Sequence, residues 1–94
     1  MEVLQNDNGK RGKFFINDSE GNEIAGMYYS YTDEGYLVIE HTEVAEAFEG
    51  RGLGRQLLNG LVQFARKNSI KVIPVCPYAL AMFEKVEEIR DVLV

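Results

Sequence analysis

The spacing of apolar residues changes once along the chain, at a run of alternating glycines, Gly50-Arg51-Gly52-Leu53-Gly54. Before that run, short apolar stretches alternate with turn clusters. Lys13 to Asn17 carries Phe14, Phe15 and Ile16, and Glu23 to Tyr31 carries Ile24, Met27, Tyr28, Tyr29 and Tyr31. Tyr36 to Val44 places Leu37, Ile39, His41 and Glu43 on one face and Tyr36, Val38, Glu40, Thr42 and Val44 on the other. A period of two marks strands. Asp18 to Asn22 and Thr32 to Gly35 supply the turns between them, with Gly and Asn able to take positive φ. Consecutive strands on short turns make an antiparallel meander. Phe14, Phe15, Tyr28, Tyr29 and Tyr31 are expected to build its small core. Met1 to Gly12 is polar and reads as a ragged or edge start.

After the glycines, Leu53, Leu57, Leu58, Leu61, Val62 and Ala65 recur at helical spacing, which predicts a helix from Gly52 to Lys67. Arg66 and Lys67 complement the negative end of its dipole. Gly60, in mid-helix, costs about 1 kcal/mol against Ala, which points to close packing there. Lys71 to Cys76 reads as a short strand interrupted by Pro74. Pro77 suits the first position of a second helix, with Ala79, Met82, Phe83 and Val86 as its buried stripe. Ile89, Val92 and Leu93 either extend that helix or pack as a tail. Strand, helix and strand in succession imply a right-handed crossover and a parallel pair. The expected fold class is α/β in the mixed α+β sense. It comprises a three-stranded antiparallel meander, then helix–strand–helix with one parallel strand pair. Residues 1–94 form one domain, consistent with domains of roughly 100–150 residues.

Composition excludes several classes. At 46% hydrophobic and a net charge of −5 the chain is too apolar for disorder. One Cys and one His exclude a disulfide framework and a Cys- or His-rich metal site. No apolar run approaches the roughly 20 residues of a membrane span, and Glu2 follows Met1, so a soluble, cytosolic protein without a membrane partner is expected. The charge is uneven. Met1 to Glu49 holds 11 acids and 3 bases, whereas Gly50 to Phe83 holds 5 bases and no acid. The acidic balance argues against a nucleic-acid partner, and the acid-free window suits one small, highly charged anion. A chance run on a solvated helix would look the same.

Phe48-Glu49-Gly50-Arg51-Gly52-Leu53-Gly54-Arg55 follows a strand and opens a helix. Glycines there admit a ligand close to the backbone, and the first helical amides form an anion pocket. Arg51 and Arg55 could add charge-assisted contacts to phosphate, so a pyrophosphate at the helix start is expected. Arg55-Gln56 stands where a P-loop needs Lys and Ser/Thr, and the glycines alternate rather than following a dinucleotide fingerprint. A plain helix-start turn that binds nothing is the alternative.

The alternating glycines between a strand and an amphipathic helix resemble the acyl-CoA-binding loop of the GNAT superfamily of N-acetyltransferases. That loop reads Gln/Arg-x-x-Gly-x-Gly/Ala and aligns Glu49, Gly52 and Gly54. The helix, the strand after it and Ala81-Met82-Phe83-Glu84-Lys85 are similar to the family's next elements. The runs His41-Thr42-Glu43-Val44, Phe48 to Gly52 and Val75-Cys76-Pro77-Tyr78 resemble a subfamily of very small GNAT-like proteins. Three departures stand out. Glu49 replaces Gln/Arg, and Phe83 falls where many members carry the tyrosine that protonates the leaving thiolate. The helices after the family's first strand, which normally build the acceptor site, have no counterpart.

The resemblance implies a minimal GNAT-like fold and an N-acetyltransferase that uses acetyl-CoA and an amine acceptor, without a metal. Pantetheine would lie along Glu40 to Val44, with Thr42 and Val44 in contact, and pyrophosphate on Glu49, Gly50, Arg51, Gly52, Leu53, Gly54 and Arg55. Cys76 and Tyr78 would border the acyl sulfur, and an amide near Val44 would face the oxyanion. The chemistry needs a base for the ammonium proton and an acid for the thiolate. His41 is the natural base, with Glu40 and Glu43 as further candidates; a structural histidine is the other reading. Cys76 could relay the acyl group, supply the missing acid, or be a buried small hydrophobe. Tyr78 could also donate a proton. A CoA-binding module without turnover, and an interaction protein whose glycine turn binds nothing, remain as alternatives. A monomer or weak homodimer is expected.

Overall fold

The structure, a computed structural model, describes residues 1–94. The elements are β1 (Leu4–Asp7), β2 (Arg11–Asn17), β3 (Glu23–Tyr31), β4 (Leu37–Val44), a 3-10 turn (Glu46–Phe48), α1 (Leu53–Asn68), β5 (Val72–Pro74), α2 (Pro77–Lys85) and a second 3-10 segment (Glu87–Val92). They form one five-stranded sheet in the order β1-β2-β3-β4-β5, antiparallel from β1 to β4, with β5 parallel to β4. No helix is long and apolar enough to cross a membrane. The mixed class, the meander and the parallel pair stand as expected.

The polar start is a strand. β1 pairs with β2 from Leu4↔Phe15 to Asp7↔Gly12, so the antiparallel set has four strands and not three. Its signal in sequence was weak because an outer strand of four residues, with one face on solvent, needs few apolar side chains. What holds it is polar. Tyr29 and Tyr31 each donate a hydroxyl to Asp7 Oδ2 at 2.6 Å, and Gln5 Nε2 donates to Tyr29 Oη at 2.8 Å. β1 and β2 join directly through Asn8, Gly9 and Lys10, which leaves no room for helices between them.

Alternation sorts the sheet into two faces. Phe14, Ile16, Ala25, Met27, Tyr29, Leu37, Ile39 and Val72 are buried beneath Leu57, Leu58, Leu61, Val62 and Ala65 of α1. Fully burying each leucine contributes about 2 kcal/mol. Gly60 lets this helix approach the residue just before β1, since a Cβ there would lie 3.0 Å from Val3. Lys13, Phe15, Tyr28, Ser30, Val38, His41 and Glu43 are not buried and form the opposite face. Phe15 and Tyr28 are therefore corrections to the expected core. Phe14 and Phe15 are neighbours in a strand, and a period of two lets only one of them point inward.

The faces of β4 also depart from strict alternation. Tyr28 pairs with His41, but Tyr29 pairs with Ile39, so Glu40 is an extra, bulged residue. A bulge of one residue exchanges the faces beyond it. Thr42 and Val44 thus continue the helix-side face of Leu37 and Ile39, and His41 and Glu43 move to the open side.

The last elements are shorter than expected. β5 ends at Pro74, and Ile89 and Val92 are buried in the terminal 3-10 segment, so the tail packs and does not extend α2. Leu93 bridges to Val72, and Val94 donates its amide to the Val72 carbonyl, which closes that sheet edge. In α2 only Ala79 and Phe83 are buried, with Met82 and Val86 half-buried.

Burial alone would raise the Asp7 carboxyl, but the Tyr29 and Tyr31 hydroxyls and the Gly9 amide outweigh it and hold it below 3.8. A depressed folded-state value stabilises the fold above the unfolded value, and that contribution is lost as pH falls through the folded one. Asp7→Asn should cost about 1 kcal/mol at pH 7. In urea unfolding, the gap between Asp7→Asn and the parent should stay constant down to about pH 5 and close below pH 4.

Candidate active site

The site begins where β4 and β5 part. Their pairing runs from Leu37↔Val72 to Ile39↔Pro74 and stops. The Ile39 carbonyl then accepts two amides, from Val75 at 3.0 Å and Cys76 at 3.1 Å, and the chain turns into α2. Beyond Ile39, the bulged half of β4 pairs with β3 on one edge and has no strand on its β5 side. The gap is bounded by β4, the start of α2 and the glycine run that opens α1.

The three glycines of that run do different work. Gly50 has φ +77° and Gly52 has φ +76°, and nothing lies within 4 Å of a Cβ built on either. They are required by backbone conformation, because the left-handed region costs other residues roughly 1–2 kcal/mol. Gly52 caps α1 without a side-chain hydrogen bond, so the first amides of the helix have no partner from a cap. Gly54 has an ordinary φ and is required by packing: a Cβ there would sit 2.9 Å from Cζ and Oη of Tyr78. Tyr78, in the first turn of α2, thereby closes one side of the loop.

A cavity of about 260 Å³ lies over this loop, lined by Thr42, Val44, Phe48, Glu49, Gly50, Gly52, Leu53, Gly54 and Tyr78. Eight of the residues expected to hold the carrier are brought together here. Phe48 joins them; the sequence presents it only as one more aromatic in a loop. Its ring carries the Arg51 guanidinium at 5.1 Å, a cation–π contact that holds Arg51 beside the loop. Arg51, Arg55 and Cys76 do not line the cavity. Burial raises the Tyr78 hydroxyl, and the positive charge of Arg55 opposes the shift.

Cys76 is the N-cap of α2, and its Sγ accepts the Ala79 amide at 3.4 Å. Thr42 Oγ1 stands 3.3 Å from the same sulfur. Thr42 lines the cavity, so the buried thiol is one side chain removed from it. Phe83 is buried in the core and offers no proton at its position.

His41 and Glu43 lie across the strand from Cys76. His41 Nε2 is 2.9 Å from Glu43 Oε1, and its ring stacks on Tyr28 with centroids 6.0 Å apart. Tyr28 donates its hydroxyl to Glu23, which accepts from Lys13 at 2.6 Å. The hydrogen bond to Glu23, then burial, push the Tyr28 hydroxyl up to about 12, so it stays a donor at neutral pH. For Glu23 itself, burial raises the carboxyl, and Lys13 and Tyr28 together bring it below its ordinary range. The three expected catalytic residues are therefore not one cluster. His41 and Glu43 approach β4 from the open side, and Cys76 approaches from the helix side. Strict alternation did not separate His41 from the core residues; the bulge did.

This is the framework of a GCN5-related N-acetyltransferase, and the chain belongs to that family, whose sequence profile matches residues 13–92. Protein NATD1 of Xenopus tropicalis is 29% identical over 69 residues, which are 73% of this chain and 63% of that protein. The chain thus spans less than two thirds of the relatives it matches. The solution structure of a GCN5-like protein from Staphylococcus aureus is 36% identical, with a TM-score of 0.78, covering 99% of this chain and 87% of that one. An aminoglycoside N-acetyltransferase in complex with CoA shares the fold at 12% identity, with a TM-score of 0.66 and coverage of 94% and 89%.

The division of labour among the glycines predicts different penalties. Gly50→Ala, with open space, should cost about 1 kcal/mol through backbone strain. Gly54→Leu must displace Tyr78 and should cost about 2–3 kcal/mol. Urea unfolding of the two variants at neutral pH measures both, and equal penalties would refute the assignment.

Proposed function

We propose that the chain transfers the acetyl group of acetyl-CoA to an amine. The observation that supports it most directly is the uncapped start of α1, where two positive-φ glycines leave helical amides facing a cavity. Amides at a helix start favour an anion through both hydrogen bonding and the dipole. Arg51 and Arg55 add positive charge beside them, and no acid interrupts the chain from Gly50 to Phe83. The diphosphate of the carrier fits this loop, and its pantetheine arm fits the open β5-side edge of β4 beyond Ile39.

In the transfer, the C–S bond of the thioester breaks and a C–N bond forms. The amine gives up a proton and the departing thiolate takes one. His41, whose Nε2 lies 2.9 Å from Glu43 Oε1, accepts the first proton, and Glu43 then stabilises the imidazolium. Glu43 thus serves as the partner of the base. Glu40, in the bulge, is exposed and has no ion-pair partner, and nothing distinguishes it as a base. Cys76 answers the second need in one of two ways. It protonates the thiolate, or its own sulfur first takes the acetyl group, releasing CoA, and then passes it to the amine. The Ala79 amide at 3.4 Å and Thr42 Oγ1 at 3.3 Å fix the position of the sulfur in either route. A CoA-binding module without turnover is the second reading, favoured by Phe83 buried at the position of the family's acid.

In calorimetry, CoA should bind, and so should dephospho-CoA, which keeps the diphosphate; no heat at millimolar CoA would remove both readings. Gly52→Val should weaken CoA at least about tenfold, because the valine strains the left-handed cap and covers the amides. With acetyl-CoA and a panel of amines, thiol release should exceed the uncatalysed rate. His41→Ala should lower kcat by about 10²-fold, within the usual range for a general base, at unchanged CoA affinity. A full rate in Cys76→Ala would take its sulfur out of the chemistry. Mass spectrometry of rapidly quenched protein separates the two cysteine routes, since only the relay leaves an acetylated Cys76.

A further inference from the structure

Cys76 supplies a proton or a nucleophile in the reading above, yet its sulfur does not reach the place where the carrier would lie. Cys76 is 4% exposed and does not line the cavity over the glycine loop. Thr42 does line it, and Thr42 Oγ1 is 3.3 Å from Cys76 Sγ. Thr42 owes this place to the bulge at Glu40, which turns it to the helix side of β4. Of the β4 residues in the lining it is the one nearest the point where β4 and β5 part, with Val44 further toward the loop. A carrier with its diphosphate on the loop and its arm along the open edge of β4 presents its sulfur at the Thr42 end. Tyr78, the other hydroxyl of the lining, stands over Gly54 at the loop itself.

The hydrogen bonds around the sulfur run in one direction. The Ala79 amide can only donate, and it donates to Sγ at 3.4 Å. The thiol carries one proton, and Thr42 Oγ1 is the oxygen within its reach. With the thiol donating to Oγ1, the Thr42 hydroxyl keeps its own proton for the cavity that it lines. Amide, thiol and hydroxyl then form a chain from the start of α2 to the cavity wall, and the chain ends on a donor.

Resting on the acetyl-CoA reading above, we propose that Thr42 is a catalytic residue, which relays the proton of Cys76 to the departing thiolate. As the C–S bond of the thioester breaks, its electron pair stays on the carrier sulfur. That sulfur takes the Thr42 hydroxyl proton, and Thr42 Oγ1 takes the Cys76 thiol proton in the same step. CoA leaves as the free thiol, and the negative charge ends on Cys76, which keeps the Ala79 amide as its donor. After CoA has gone, solvent entering the cavity returns a proton to Cys76 by the same path reversed. Cys76 carries no acetyl group at any point.

The test uses the full chain with Thr42→Val, which removes the hydroxyl, with Thr42→Ser, which keeps it, and with Thr42→Val combined with Cys76→Ala. With acetyl-CoA and the amine panel, Thr42→Val should lower kcat by about 10²-fold, the usual weight of a general acid, with KM for acetyl-CoA little changed. Thr42→Ser should recover most of that loss. The double variant should be no slower than Cys76→Ala alone, because residues that act as a unit do not add. A full rate in Thr42→Val would overturn the proposal. So would a double variant whose loss is the product of the two single losses, or acetylated Cys76 in the rapidly quenched parent. The Raman S–H stretch of the one cysteine reads the hydrogen bond without turnover. Loss of the acceptor in Thr42→Val should move that band to higher wavenumber, and Thr42→Ser should leave it near the parent position. A band that Thr42→Val leaves in place would also refute the relay. CoA binding without thiol release from any amine would instead overturn the acetyl-transfer reading, and the relay with it.

Discussion

One carbonyl organises the molecule. Ile39 accepts the amides of both Val75 and Cys76, and at that point the parallel pairing of β4 and β5 ends. Had the ladder continued, the outer edge of β4 would be satisfied by β5, and no chain-like ligand could lie beside it. Because it stops, the bulged half of β4 faces a gap whose other walls are the starts of α1 and α2. Both helices begin there for reasons internal to the chain: Gly52 in the left-handed region for α1, and Cys76 followed by Pro77 for α2.

The bulge at Glu40 gives that gap two chemical sides. A regular β4 would have sent His41 into the core behind Ile39 and Thr42 out to solvent. With one extra residue, Thr42 meets the Cys76 sulfur at 3.3 Å and His41 meets Glu43 at 2.9 Å on the opposite face. An imidazole–carboxylate pair and a buried sulfur thus stand on opposite sides of one strand. The short β1–β2 connection leaves the His41 side free of helices, and its polar residues face solvent without penalty.

Much of this was legible in the residues. The switch from period two to period 3.6, the turn clusters and the Pro77 signal place the elements to within a few residues, because each rests on local backbone preference. The positive φ of Gly50 and Gly52 was legible on the same ground. What escaped was governed by partners distant in sequence. β1 has too few apolar residues to declare itself and is held by Tyr29 and Tyr31, more than twenty positions on. Phe15 and Tyr28 looked like core residues until pairing register assigned their face. Phe48 gained its place in the loop only through the folded position of Arg51 and the cavity.

By itself, then, the amino-acid order determined the kinds of element, their succession, the positive-φ positions at Gly50 and Gly52, and the family. These follow from steric limits and side-chain periodicity, which act over a few residues. Only the tertiary structure decided which side of β4 each candidate residue occupies, and that Gly54 is required by the packing of Tyr78. Those outcomes depend on strand register and helix docking, where a shift of one residue exchanges faces while leaving every local preference satisfied.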